Sequence, residues 1–173
     1  MKKLLLLLCA AVACVSGSYA QMPAAQRIPP AVEKKVTVGA AIGEVWEYVS
    51  DPANYKKMSR VKEFWYEGKE TGSKIIVTGR SGVERSGIIS MKFDEYHRMA
   101  FEVKESGYGL ENPMHILFEM KPVDDGRRTE VTMSVMYGFD RLPDKAKKDM
   151  EQEFGNIASD LGKKFRQEAA KGV

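Results

Sequence analysis

The feature that most restricts this chain lies near its end. Met150, Phe154, Ile157, Leu161 and Phe165 follow one another at steps of four, three, four and four residues. That spacing draws one apolar stripe along a helix of about four turns. Charged residues dominate the opposite side, and Pro143 sits where a first helical residue is expected. A stripe this long has to be buried against a large apolar surface. The preceding segment supplies one.

From Val61 to Phe139 the chain reads as successive strands: Val61–Glu67, Lys74–Thr78, Val83–Phe93, Arg98–Val103, Met114–Val123 and Arg128–Phe139. Turn signals separate them, among them Ser81-Gly82, Asp94-Glu95, Ser106-Gly107-Tyr108-Gly109 and Asp124-Asp125-Gly126. The gaps are too short for crossover helices, so neighbouring strands pair antiparallel. Val32 to Val38 predicts a further, first strand. Ile42, Val45, Trp46 and Val49 then mark one face of a short helix over Ala41 to Ser50. Pro52 ends it and opens a second short helix to about Ser59. The fold class is therefore α+β: a curved antiparallel sheet of six to seven strands around a long C-terminal helix, with two short helices after the first strand.

The start of the chain has a different character. Lys2 and Lys3 precede an apolar run from Leu4 to Val15, and Ser18 and Ala20 flank a small-residue cleavage point before Gln21. This is the layout of a secretory signal peptide over residues 1–20. The run is too short for the roughly 20 residues of a membrane-spanning helix. The expected product is exported to a bacterial periplasm or secreted. Residues 21–31, with Pro23, Pro29 and Pro30, read as an extended leader, and residues 32–171 as one domain. Cys9 and Cys14 both fall in the signal, which leaves the domain without thiol chemistry. Ala11-Val12-Ala13-Cys14 loosely resembles a lipoprotein box that lacks its usual leucine. Lipid on Cys14 would tether the protein to a membrane. Loss of the signal removes two lysines and leaves 25 basic and 24 acidic residues, with no basic stripe for nucleic acid.

Several stretches carry a resemblance. Val45-Trp46-Glu47-Tyr48-Val49-Ser50-Asp51-Pro52-Ala53-Asn54-Tyr55, Gly72-Ser73, Asp94 with Arg98, and Arg128-Thr129-Glu130-Val131-Thr132-Met133 occur in an order that resembles the START-related polyketide cyclase/dehydrase superfamily. This superfamily, known as SRPBCC, has the helix-grip fold. The resemblance covers roughly Val32 to Ala169. It implies a cavity between sheet and helix that takes a lipid, polyketide or other apolar molecule. It transfers no catalytic residue, because the superfamily has no universal one.

Alternation along the strands places Met99, Phe101 and Val103 on one face, Ile116, Phe118 and Met120 on another, and Val131, Met133, Val135 and Tyr137 on a third. These faces are expected to meet the helix. The methionines suit either a core or an adaptable pocket wall. Gly155, Ala158, Gly162 and Ala169 cluster on one flank of the helical stripe, which is expected to face the cavity mouth. The candidate ligand-binding residues are Trp65, Met99, Phe101, Phe118, Met120, Met133, Tyr137, Phe154, Ala158 and Gly162.

Chemistry is harder to find. Two histidines, His97 in a turn and His115 facing outward, supply no set of three or four converging metal ligands. No nucleophile–base order, phosphate loop or dinucleotide fingerprint occurs, and no cofactor is implied. Glu102 and Glu119 are expected to face solvent. Glu63 shares a strand face with Val61 and Trp65 and is expected to point inward, where Ser90 and Tyr137 would add hydroxyls. The leading expectation is an exported binding or carrier protein for an apolar or amphipathic small molecule. The alternatives are a cyclase- or dehydratase-like enzyme using polar groups in the same cavity, and a ligand-free envelope domain that contacts protein or membrane.

Overall fold

The computed structural model describes residues 29–138 and 141–171. The expected signal, its cleavage point, both cysteines and most of the leader lie outside the described residues, as does Phe139. The elements run β1 (Val32–Val38), α1 (Ile42–Ser50), α2 (Pro52–Ser59), β2 (Glu63–Tyr66), β3 (Lys74–Thr78), β4 (Glu84–Phe93), β5 (Arg98–Ser106), β6 (Met114–Val123), β7 (Arg128–Met136) and α3 (Asp144–Lys171). All strand pairs are antiparallel, in the spatial order β1-β7-β6-β5-β4-β3-β2. None of the described helices is long and apolar enough to cross a membrane.

Element boundaries depart from expectation where tertiary contacts decide them. β2 is shorter than Val61–Glu67, because this edge strand has only β3 to pair with and Val61 is buried ahead of the ladder. β5 runs on to Ser106, held by Arg85 and Ser86 of β4. Pro143 stands just before α3 and its carbonyl accepts the Lys147 N–H at 2.9 Å, so it caps the helix and Asp144 begins it.

Two register shifts interrupt the β4–β5 pairing, at Ser86/Gly87 and Ile89/Met91. Such bulges bend a strand and increase its twist. At the first, the two backbones come so close that a Cβ on Gly87 would lie 2.0 Å from the Glu102 carbonyl oxygen. Only glycine fits there.

The concave face of the sheet receives α3. Ala146, Met150, Phe154, Ile157, Leu161 and Phe165 are all fully buried, as are Met99, Phe101, Phe118, Met133 and Val135 on the strands. The two short helices close one side. The Asp51 carboxylate accepts the Ala53 N–H at 3.0 Å to cap α2, and Arg60 in left-handed geometry (φ 56°) ends it. Trp46 Nε1 donates to Asp94 at 2.8 Å, which fastens α1 to the β4–β5 turn. The Tyr48 hydroxyl donates to Asp160 of α3 at 2.9 Å. The Trp46-to-Tyr55 stretch thus clamps the helices to the sheet and to α3.

Candidate functional site

A small crevice lies between α2 and the inner face of β2–β6. Tyr55 of α2, Phe64 of β2, Ile75 and Val77 of β3, Arg85 and Ser86 of β4, Phe101 and Val103 of β5, and Ile116 of β6 line it. Its volume is about 10 Å³, the space of about one water molecule. Ligand pockets commonly run to roughly 300–1,000 Å³. The crevice is thus far smaller than the lipid-sized cavity expected between sheet and helix, and the stripe residues Met150, Phe154, Ile157, Leu161 and Phe165 are themselves fully buried in the core.

The crevice is mostly apolar, and its one charged lining residue is Arg85. Arg85 (1% exposed) occupies an inward position of β4, two residues before the first bulge residue. Its Nη2 donates to both carboxylate oxygens of Glu153 (4% exposed), at 2.7 and 3.0 Å, and its Nη1 lies 3.1 Å from the Met150 sulfur. The Tyr55 hydroxyl lies 3.4 Å from the same carboxylate. Removing two charges from water costs several kcal/mol per ion, which only close pairing offsets. Burial pushes Glu153 above the usual carboxylate range, against the opposing pull of Arg85. Burial alone would lower Arg85, but Glu153 outweighs it and holds the guanidinium charged. Burial, with Glu153 nearby, also raises the Tyr55 phenol far above its ordinary value, so it stays neutral.

A second polar layer lies outside this pair. Asp149 of α3 accepts hydrogen bonds from Ser81 in the β3–β4 turn and from the Tyr108 hydroxyl, the latter at 2.6 Å. These contacts tie the β3–β4 turn and the loop after β5 to the first turns of α3.

Among the expected ligand-binding residues, only Phe101 lines the crevice. Met99, Phe118, Met120, Met133, Tyr137 and Phe154 are buried in the core, packed against one another and their neighbours. Six of the eight methionines of the domain belong to that core. Trp65 faces the other way. It is 51% exposed, in an outer groove with Ile76 and Ile88. Glu63, on the same face, is exposed too. The inward residue of β2 is Phe64, drawn in by stacking on Tyr55 with ring centroids 4.8 Å apart.

The small flank of α3 is likewise misplaced by the sequence expectation. Gly155 is exposed, with nothing within 4 Å of a would-be Cβ, and one on Gly162 would meet only the Arg166 guanidinium at 3.4 Å. Gly155 thus looks onto solvent, while Ala158 and Gly162 are half-buried, Ala158 at the edge of the core; the side chain of Ala169 lies outside the described residues. Ser90 donates to the Ala100 carbonyl at 3.2 Å, and the Tyr137 hydroxyl accepts the Glu111 N–H. His115 is exposed. No group of three or more His, Cys, Asp or Glu gathers among the described residues.

Sequence reasoning missed the Arg85–Glu153 pair, yet a signal existed. Glu153 falls three residues after Met150 and four before Ile157, inside the apolar stripe. Arg85 shares strand parity with the inward Ile89. A cation and an anion at core positions of two elements each need a partner, and each can be the other's.

The sequence matches the family described as polyketide cyclase/dehydrase and lipid transport over residues 29–166. No curated protein matches it in sequence. Among solved structures, a protein from Nitrosospira multiformis superposes with a TM-score of 0.65 at 17% identity, over 80% of this chain and 98% of that one. A START superfamily protein from Mycobacterium smegmatis gives 0.57 at 16% identity, over 79% and 97%. Norcoclaurine synthase from Thalictrum flavum, solved with dopamine and hydroxybenzaldehyde, gives 0.50 at 15% identity, over 60% and 66%. At these identities the likeness is one of fold.

Proposed function

The chain belongs to the polyketide cyclase/dehydrase and lipid transport family, and on that premise we propose that it binds a small apolar or amphipathic molecule in the crevice between α2 and the inner face of β2–β6. The observation that carries this reading is the crevice itself: apolar walls converging on one buried ionic pair. Pockets of this composition, mostly apolar with a few placed polar groups, are the usual form of small-molecule sites. The crevice must widen to admit a guest. One or two rings is a reasonable size, as in the small aromatic compounds bound by the norcoclaurine synthase relative.

Native mass spectrometry of protein purified from its own host tests this. A co-purifying small molecule, lost when Val103→Phe fills the crevice, is the expected result. A bare protein whose melting temperature is unmoved by monocyclic and bicyclic aromatic probes would overturn the proposal. It would favour a ligand-free interaction domain, the reading to which the full burial of the apolar stripe of α3 lends weight.

Export is part of the same proposal, on the strength of the first 20 residues. The intact mass of protein from a bacterial periplasm should correspond to a chain starting at Gln21. A mass that includes Met1, or a lipid on Cys14, would refute that processing.

A further inference from the structure

Arg85 has a donor nitrogen that the protein leaves unused. Its Nη groups face Met150 and Glu153, but its Nε–H, fully buried, meets no acceptor among the described residues. No other described buried side-chain nitrogen or oxygen is in that position. An unmet buried donor is unfavourable, and more so on a charged group. Arg85 also lines the crevice, whose remaining walls are apolar apart from Ser86 and the Tyr55 hydroxyl.

Resting on the binding reading above, we propose that the Nε–H of Arg85 is the anchoring point of the site, and that the ligand class is an apolar molecule bearing a neutral acceptor oxygen: a ketone, aldehyde, ester or amide carbonyl. The charge balance selects the neutral acceptor. Glu153 already compensates the guanidinium through two close hydrogen bonds. A second carboxylate would leave an uncompensated negative charge beside Glu153 in a dry site, which is strongly unfavourable. A carbonyl oxygen satisfies the donor and adds no charge. A hydrocarbon of the same shape leaves the donor unmet.

Three probes of similar size separate these outcomes: acetophenone, cumene (the carbonyl replaced by an apolar group) and benzoate. Titrations of the full domain follow the ¹⁵Nε–¹Hε resonance of Arg85 and the melting temperature. Acetophenone is expected to bind at least about tenfold more tightly than cumene, since a hydrogen bond to a charged donor is worth that much. It is also expected to move the Arg85 resonance downfield, and benzoate to bind more weakly than acetophenone. Arg85→Lys keeps a cation opposite Glu153 but lacks the Nε–H, and should bind the two neutral probes alike. The double variant Arg85→Met, Glu153→Leu, which leaves no lone buried charge, should do the same if the lysine variant does not fold. Equal binding of acetophenone and cumene by the wild type would overturn the anchor and leave the binding reading standing. Tightest binding by benzoate would overturn the neutral-acceptor class. No binding by any of the three overturns the anchor together with the reading beneath it.

Discussion

Arg85 and Glu153 form the energetic pivot at the scale of single residues. Each is buried at a position where its element would otherwise present an apolar side chain. Truncating one member strands the other charge in the core. Glu153→Gln and Arg85→Met are each expected to lower stability by about 3–5 kcal/mol. The double variant Arg85→Met, Glu153→Leu should recover most of that loss, because an apolar pair of similar volume has no desolvation cost. Urea midpoints of the two single variants and the double one check this, and additive losses would show that the two residues do not act as a pair. The signal for this pair lies in the spacing of each residue. The pairing itself is not visible, because parity identifies an inward residue and not its neighbour across the core.

The long helix shows the same division at the scale of elements. Its apolar stripe is legible from spacing, and all five stripe residues are fully buried. Its glycines are not legible, since a small residue can mark a close approach or an open surface. Here it is open surface: nothing lies within 4 Å of a Cβ on Gly155. Gly155→Ala is therefore expected to raise stability by up to about 1 kcal/mol, seen as a higher melting temperature. A destabilised variant would mean that another group packs there. α2 rests on its cap. Partial burial tends to raise the Asp51 carboxyl, but the Ala53 N–H and the nearby Lys69 and Lys92 outweigh it, and the group titrates below its ordinary 3.8. A carboxyl lowered by folding stabilises the fold above its unfolded value and loses that contribution as pH falls through the folded one. Asp51→Ala should cost about 1 kcal/mol at neutral pH. The difference from wild type should shrink on acidification below about pH 4, in denaturant titrations run at several pH values. β2 is the element whose facing the alternation misassigned. Both Phe64–Tyr66 and the Val61–Trp65 set contain large apolar side chains, so period-two patterning on an edge strand leaves the choice open. The stacking of Tyr55 on Phe64 settles it.

For the whole molecule, the nearly filled interior sets the terms on which any guest enters. A ligand that wedges into a crevice of about 10 Å³ must displace side chains around it, so binding and local opening are coupled. The ties from Asp149 to Ser81 and Tyr108 lie at the end where that opening would occur. Saturation with a tight probe at about a hundred times its Kd should add about 2.7 kcal/mol of stability. Hydrogen exchange should slow most in β2 to β5 and the first turns of α3, and uniform protection across the sheet would place the site elsewhere. By itself the amino-acid sequence determined the architecture: the 3.6-residue period of α3, the two-residue period of the strands and the turn residues between them admit one arrangement of layers. Only the tertiary structure decided how much room those layers enclose and which buried groups meet. The volume left in a core is a small difference between large side-chain volumes, and it depends on bulges, helix position and rotamers that no periodicity encodes.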